Sequence, residues 1–140
     1  MTTIDQKILA PFRKYIRDAS GMSDAKFDNL AHLLRTVHYK KGHVLLETGA
    51  VCAHAFHVTN GLLRVATLDK EGHEHIVQFA PEGWFASDRS SMYFQEPSHL
   101  RIDAIEDTDA VMVGQDFFDA LANISETFRT NNTTLLHNHI

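Results

Sequence analysis

The sequence predicts a mainly β protein with flanking helices, and three observations predict it. Apolar residues recur at helical spacing near the amino terminus, short segments rich in Val, Leu, Phe and Thr fill the centre, and a helical pattern returns near the carboxyl terminus. The glycines at positions 42, 49, 61, 72 and 83 lie 7, 12, 11 and 11 residues apart. This spacing is typical of the turns in a sandwich or barrel of short antiparallel strands.

Length and composition narrow the class of protein. A chain of 140 residues, 44% hydrophobic and 22% charged, has the composition of one compact globular domain. It has no apolar run near the roughly 18 residues of a membrane helix and no signal-peptide layout, so we expect a cytoplasmic protein with no membrane contact. The net charge of -5 argues against nucleic-acid binding by this chain alone. The single cysteine, Cys52, excludes an internal disulfide and is expected in the core.

Residues 1–34 are expected to form two short helices. Pro11 is expected to shorten or kink the first helix, because proline lacks the amide hydrogen that a helix interior uses. After the Ser20-Gly21 break, Ser23 is expected to cap the second helix. The apolar face of the first helix is marked by residues three and four apart, namely Ile4, Ile8, Leu9, Phe12 and Ile16.

Residues 35–113 are expected to form the strands. The Asn60-Gly61 pair predicts a hairpin with a type I′ turn, which requires positive φ at both central positions. The stretch DKEG, residues 69–72, predicts a second hairpin between residues 62–68 and 73–79. Further strands are expected at residues 100–105 and 110–113.

Residues 115–140 are expected to return to helix. A short helix is predicted over residues 115–121, followed by a longer one from Ser125 that carries the apolar residues Phe128, Leu135 and Leu136. This apolar stripe is too sparse to stabilise an isolated helix, so the longer helix is expected to lie against the domain or against a partner helix.

The stretch SDRSSMYFQEPS, residues 87–98, interrupts the predicted strands, and we call it the cassette segment. It opens with Ser87, which is expected to cap a short helix, and it offers several hydroxyls, an acid and a base within a few residues. Such a segment either holds an anion or only bridges two strands. Binding of an anion would be favoured by the free backbone amides at the start of the helix and by the positive end of its dipole.

The order of these elements resembles the cyclic-nucleotide-binding domain, specifically the sensor half of Crp/Fnr-type bacterial transcription regulators. The resemblance is carried by KKGHVLLETGAVCAHAFHVTNGLLRVATLDKEGHEHIVQFAPEGWF, residues 40–85, and by AIEDTDAVMV, residues 104–113. It implies an antiparallel double-stranded β-helix, the jelly-roll or β-roll fold, within one sensor domain over residues 1–140. In that family a small ligand lies inside the roll and biases a long helix that pairs two subunits.

The resemblance also implies a binding site. The family's cassette runs Gly-Glu, a short helix, then Arg, Ser or Thr, and Ala; its glutamate binds the ribose, and its arginine and helix amides bind the cyclic phosphate. In this sequence Ser87 and Asp88 stand at the first two positions, and Pro97, Ser98 and His99 at the last three. The missing arginine removes a charge-assisted contact worth about 1.5–3 kcal/mol, so weak cAMP binding is predicted.

Two arginines near the cassette segment are candidates to replace the missing cation. Arg89 would lie in the first helical turn and Arg101 on the outgoing strand; for each, the alternative is a solvated side chain paired with Asp88 or Asp103. No cofactor is predicted beyond a small effector, which would be a cyclic nucleotide or another small anion. The residues predicted to bind it are Asp88, Arg89, Ser90, Ser98 and Arg101.

Two aromatic pairs flank this region. Tyr93 and Phe94 have the size to fill the cavity that a purine would occupy, which would turn the short helix into a plug of the roll. Trp84 and Phe85 are expected to be core anchors rather than platforms for stacking.

The histidines suggest a rival class of site. His73-Glu74-His75 puts two imidazoles on one face of a strand, as in the metal-binding cupins, which form a rival β-roll family. However, Glu82 follows His75 by seven residues, too far for the usual cupin spacing, so surface histidines and no metal are expected. No serine-histidine-acid or cysteine-histidine set can be argued, so no enzyme is expected.

Together these inferences predict the effector-sensing domain of a Crp/Fnr-like transcription regulator. Its expected partners are a small-molecule effector and a second copy of the chain, paired through the C-terminal helix. DNA would be contacted only through a further domain after that helix, and the sequence ends at Ile140, so the chain is either an excised sensor or works without its own DNA reader. The alternatives are a cupin-like metal- or sugar-binding protein and a ligand-free interaction module.

Overall fold

A computed structural model describes residues 4–124 of the chain. Its helices are α1 (Gln6–Ser20), α2 (Asp24–Leu30), α3 (Arg89–Phe94) and α4 (Gln115–Ile124), with a short 3-10 turn at Ala31–Leu33. Its strands are β1 (Leu34–Tyr39), β2 (Val44–Leu46), β3 (His54–Asn60), β4 (Leu63–Leu68), β5 (Glu74–Ala80), β6 (Phe85–Ala86), β7 (Leu100–Ala104) and β8 (Thr108–Gly114). The predicted mainly β class with flanking helices is confirmed. The helix predicted from Ser125, with Phe128, Leu135 and Leu136, lies outside the described residues.

Both amino-terminal helices begin at polar capping side chains. Asp5 accepts hydrogen bonds from two backbone N–H groups of the first turn of α1, at 2.9 and 3.3 Å. Ser23 accepts one in α2 at 3.2 Å, which confirms the predicted cap. The expected shortening at Pro11 is wrong, because the 15-residue helix α1 runs through the proline; a kink there stays a prediction. Burial of Leu9 and Phe12 on either side of the proline stabilises the helix by tertiary packing. Within residues 4–124, no helix has both the length and the apolar character needed to cross a bilayer.

Eight strands form two four-stranded sheets that close into a β-roll. One sheet has the order β1-β8-β3-β6 and the other the order β2-β7-β4-β5. Every pair of neighbouring strands is antiparallel. The cassette segment lies between β6, an edge strand of the first sheet, and β7, an inner strand of the second. Its two ends are therefore held by different sheets.

The prediction of a hairpin at Asn60-Gly61 is wrong, because β3 and β4 belong to different sheets. Of these two residues only Gly61 has a positive φ, 113°, so the turn is not type I′. A Cβ atom on Gly61 would lie 2.5 Å from Thr108 Oγ1 and 2.6 Å from the Asp107 carbonyl oxygen. The glycine is required by this close approach to the start of β8 as well as by its backbone angle.

The hairpin at residues 69–72 is confirmed. β4 and β5 pair antiparallel, with Leu68 opposite Glu74. The Gly72 N–H donates to the Asp69 carbonyl at 3.0 Å and closes the turn. β5 is an edge strand of its sheet and exposes apolar side chains, including Ile76 and Phe79.

An aromatic cluster joins the helices to the first sheet. Phe12 of α1 is fully buried, and its ring centroid lies 6.2 Å from that of Phe27 in α2 and 5.7 Å from that of Phe117 in α4. Phe85 of β6 lies 6.2 Å from the same ring, which confirms the expected core anchor. Trp84 is 40% exposed, so its expected core position is wrong. Trp84 ends the turn that precedes β6, where its N–H donates to the Pro81 carbonyl at 3.0 Å, so it lies outside the strand that enters the core.

Candidate functional site

The cassette segment begins with a capped helix, but Ser87 is not the cap. Asp88 is the N-cap of α3, and its Oδ1 accepts the backbone N–H of Ser91 at 3.1 Å. The expectation that Ser87 caps the helix is therefore wrong. Ser87 is fully buried, and within residues 4–124 its hydroxyl has no hydrogen-bond partner.

The far end of the cassette segment returns to the same carboxylate. Ser98 is buried, and its hydroxyl donates to Asp88 Oδ2 at 2.7 Å while accepting the N–H of Leu100 at 3.0 Å. Both carboxylate oxygens of Asp88 thus have internal donors. The structure thus brings the predicted residues Asp88 and Ser98 together, and their hydrogen bond joins the two ends of the cassette segment.

The preceding loop forms the floor of this site. The N–H of Cys52 donates to Ser91 Oγ at 2.8 Å, and Cys52 Sγ accepts the N–H of Asp88 at 3.5 Å. Burial raises the pKa of the Cys52 thiol above its ordinary value, so the group is a neutral thiol at neutral pH. Its expected core position is confirmed by an exposure of 1%. Sequence reasoning did not predict that Cys52 and Ser91 support the cassette, because their partners lie far apart in the chain.

Backbone hydrogen bonds to the loop between β2 and β3 fix the far end of the cassette segment. The Ser98 N–H donates to the Ala50 carbonyl at 2.8 Å, and the Gly49 N–H donates to the Ser98 carbonyl at 2.8 Å. Pro97 forms an isolated antiparallel bridge with Val51. Pro97, which the resemblance places at the family's arginine position, is thus held against this loop.

Arg89 turns toward α4. Its guanidinium carbon lies 5.6 Å from the ring centroid of Phe118, within the range of a cation–π contact. Its Nε is buried and has no hydrogen-bond partner among the described residues. Burial lowers the pKa of this guanidinium, because desolvation disfavours the charged form. Arg89 therefore links α3 to α4 and carries an uncompensated buried N–H group.

Arg101 lies in an ion-pair group of the second sheet. Its Nε is 3.3 Å from Glu47 Oε1, and its Nη1 is 3.4 Å from Asp103 Oδ2. Asp103 is also bound by Arg64, at 2.8 Å. Arg101 and Asp103 flank the fully buried Ile102 on β7, so they lie on the opposite face of the strand, away from the interior of the roll. The structure does not bring Arg101 together with Asp88, and it gives the arginine carboxylate partners.

Three further side chains of the cassette segment, those of Ser90, Tyr93 and Phe94, are open to solvent. Ser90 is exposed on the first turn of α3. Tyr93 and Phe94 are 67% and 63% exposed, so the expectation that they fill the cavity is wrong. The buried faces of this six-residue helix carry Ser91 and Met92 instead, and two further positions on so short a helix cannot also face inward.

A cleft opens beside the loop that supports the cassette segment. It has a volume of about 200 Å³ and lies between β1, β2, β3 and β8. Small-molecule sites usually measure roughly 300–1,000 Å³, so this cleft suits only a small guest. His54 lies on its wall, and burial lowers the pKa of that imidazole. Further wall residues are Tyr39, Leu46, Cys52, Phe56 and Met112.

The histidine pair expected at the surface is exposed. His73 and His75 lie at and just after the turn between β4 and β5, with side chains 71% and 60% exposed. A cupin-type centre inside the roll is not formed by these two residues. His57 is buried instead, with its ring 5.2 Å from Phe12 and 5.0 Å from Phe85.

The two four-stranded sheets, with α3 inserted between β6 and β7, define a β-roll with a short helix at the cassette position. Residues 36–125 match the family described as the cyclic nucleotide-binding domain. This match spans well over half of the 140 residues, so the chain belongs to the cyclic nucleotide-binding domain family. No curated protein matches the sequence significantly.

Solved structures share this fold at low sequence identity. The catabolite activator protein of Thermus thermophilus superposes with a TM-score of 0.71 at 18% identity, covering 84% of this chain and 55% of that one. The sensor domain of the transcriptional regulator DNR from Pseudomonas aeruginosa gives 0.70 at 13% identity, covering 94% and 81%. A regulator assigned to the crp/fnr family from Eubacterium rectale gives 0.67 at 21% identity, covering 85% and 56%. The chain therefore spans about half the length of the Thermus and Eubacterium proteins.

Proposed function

We propose that this chain is the effector-sensing domain of a Crp/Fnr-like transcription regulator. A small effector binds in the β-roll near α3, and the signal passes through the carboxyl-terminal segment to a second subunit. DNA is contacted by a separate domain. The proposal is supported by membership of the cyclic nucleotide-binding domain family and by the fold shared with the sensor domain of DNR.

The contact between Asp88 and Ser98 carries the proposal about the ligand. At the start of α3 the carboxylate of Asp88 accepts hydrogen bonds that would otherwise be available to a bound phosphate. A cyclic phosphate placed there would meet this negative charge and would find Pro97 at the family's arginine position. Losing an arginine-phosphate contact alone costs about 1.5–3 kcal/mol, or about tenfold to more than a hundredfold in affinity.

We therefore expect an effector that is not held by a cyclic phosphate in the family's usual manner. Polar groups that remain for it are the buried Ser87 hydroxyl and the Arg89 guanidinium, if the arginine leaves Phe118. An anionic effector would depend on that movement, because Arg101 is already paired with Glu47 and Asp103.

Isothermal titration with cAMP and cGMP tests this proposal. The natural chain should bind both weakly, and a variant with Ser87→Gly, Asp88→Glu and Pro97→Arg should bind cAMP at least about tenfold more tightly, because it restores the family's contacts. Pro97→Ala is the matched control, since it removes the proline without adding a cation. Sub-micromolar cAMP affinity in the natural chain would contradict the proposal.

Sedimentation tests the second part of the proposal. A chain extended beyond residue 140 should self-associate through the segment that carries Phe128, Leu135 and Leu136. Replacing these three residues with serine should give a monomer whose circular dichroism still shows the folded β-roll. A strictly monomeric extended chain would exclude signalling through a dimer helix.

A further inference from the structure

A cluster of imidazole and carboxylate groups lies at the tip of the β4–β5 hairpin, away from the cassette segment. It contains Asp69, Glu71, His73 and His75. One ligand atom from each of the first three residues lies within 4.8 Å of the other two. This cluster has no role in the proposed sensing function.

The turn holds Asp69 in place before any ligand binds. Its Oδ1 accepts the backbone N–H groups of Glu71 at 2.9 Å and His73 at 2.8 Å. Gly72 has a φ of 84°, which brings the following residue back toward the aspartate. Because Oδ1 accepts the two backbone N–H groups, the oxygen that faces the histidine side chains is Oδ2.

The separations of the donor atoms suit a small metal ion. His73 Nδ1 lies 3.6 Å from Asp69 Oδ2 and 3.6 Å from Glu71 Oε2. A tetrahedral zinc ion with ligands at about 2.0–2.1 Å places neighbouring ligand atoms about 3.3 Å apart. Small side-chain movements would therefore convert the cluster into three metal ligands. His75 Nε2 lies 2.9 Å from Asp69 Oδ2 and can hold that carboxylate in orientation.

We propose that this hairpin tip binds Zn²⁺ or a related first-row divalent cation through Asp69, Glu71 and His73, with His75 as a positioning residue. Imidazole with carboxylate favours these metals over Ca²⁺ and Mg²⁺, which take oxygen ligands. The site differs from a cupin centre because it lies on the exposed turn rather than inside the roll. A bound ion would join both sides of the turn and stiffen the tip of the hairpin.

Titration of the untagged chain with Zn²⁺ alone tests the proposal. We expect one site stronger than the background binding by the histidines outside the cluster. Asp69→Asn keeps an Oδ1 acceptor for the turn and removes the charged ligand, so it should fold normally and lose more than about tenfold in affinity. His73→Gln should do the same, and His75→Gln should lose about tenfold through the orientation of Asp69.

His38→Gln is the matched control. His38 Nδ1 also contacts an aspartate, Asp109, at 2.7 Å, but it lies on β1 outside the cluster. This variant should keep the natural Zn²⁺ affinity, and Zn²⁺-induced NMR shifts should centre on residues 69–75. The proposal is overturned if Asp69→Asn and His73→Gln bind Zn²⁺ normally, if His38→Gln loses as much affinity, or if Ca²⁺ binds as tightly as Zn²⁺.

Discussion

The hydroxyl of Ser98 donates a hydrogen bond of 2.7 Å to Asp88 Oδ2, and it joins the two ends of the cassette segment. The other carboxylate oxygen accepts the N–H of Ser91 in α3. One internal anion therefore stabilises both the start of the short helix and the return of the chain into β7. In the family's usual site, this region serves the sugar and phosphate of a ligand.

This relationship predicts energetic coupling between Asp88 and Ser98. Ser98→Ala leaves buried groups unsatisfied and should cost about 1–3 kcal/mol, and Asp88→Ala removes a helix cap and should cost about 0.5–2 kcal/mol. The double variant should lose less than the sum, with a coupling of at least about 0.5 kcal/mol in urea unfolding. The exposed Ser90→Ala should stay within about 0.5 kcal/mol. Strictly additive losses would exclude the coupling.

The buried N–H group of Arg89, which lacks a partner within residues 4–124, predicts that an apolar substitution at this position stabilises the fold. Arg89→Met keeps a long side chain against Phe118 and removes the buried N–H group that lacks a partner. Replacing buried charge by an apolar side chain is often neutral or stabilising, so the free energy of unfolding should stay equal or rise by about 1 kcal/mol. Arg89→Ala is the comparison, because it loses the packing as well and should be less stable than Arg89→Met. A loss above about 1 kcal/mol in Arg89→Met would mean that the cation itself stabilises the fold.

Cys52 predicts how stability depends on pH. Burial raises the pKa of its thiol in the folded state, whereas an unfolded cysteine has a pKa of about 8.5. Above the unfolded pKa the folded state binds more protons, so this contribution is complete below about pH 8.5 and is lost as pH rises through the folded pKa. Urea unfolding between pH 7 and about pH 9.5 should show a smaller decline for Cys52→Ala than for the natural chain. Parallel declines would show that other groups, such as Tyr15 or Tyr39, carry the effect.

The close approach of Gly61 to Thr108 predicts that a side chain at position 61 destabilises the domain. Gly61→Ala adds a Cβ atom 2.5 Å from Thr108 Oγ1, in addition to the cost of a left-handed backbone, so it should destabilise the domain by more than about 2 kcal/mol. Gly42→Ala is the matched control, because Gly42 has a φ of 92° but nothing within 4 Å of an added Cβ. Its thermal midpoint should fall much less. Equal shifts for the two variants would mean that backbone strain alone decides the cost.

The elements could be predicted from the sequence where a local pattern decided them. Ser23 was predicted as a cap because capping depends on neighbouring residues, and the hairpin at residues 69–72 followed from its own turn chemistry. The Asn60-Gly61 prediction was wrong because the same dipeptide also suits a crossing between sheets. The crossing reflects long-range strand pairing, since β3 pairs with β8 and β4 with β7.

The candidate site could be predicted only in part. The order of the family's motif indicates Asp88 and Ser98. It does not indicate the hydrogen bond between them, because the sequence alone does not show which of several short polar side chains come into contact. The directions of Arg89 and Arg101 depend on α4 and on the pleat of β7. The size of Tyr93 and Phe94 suits the interior of the roll, whereas the turn of α3 points both side chains outward.

The pairing of β1 with β8 has a consequence for synthesis of the protein. Leu34 lies opposite Val113 and Tyr39 opposite Thr108, so the first strand of the domain has the last strand as its neighbour in the sheet. During synthesis, nearly all residues of the roll must leave the ribosome before β1 and β8 can pair. Until then β1 is an unprotected strand with open backbone groups, and such non-local pairing favours slow folding and dependence on chaperones.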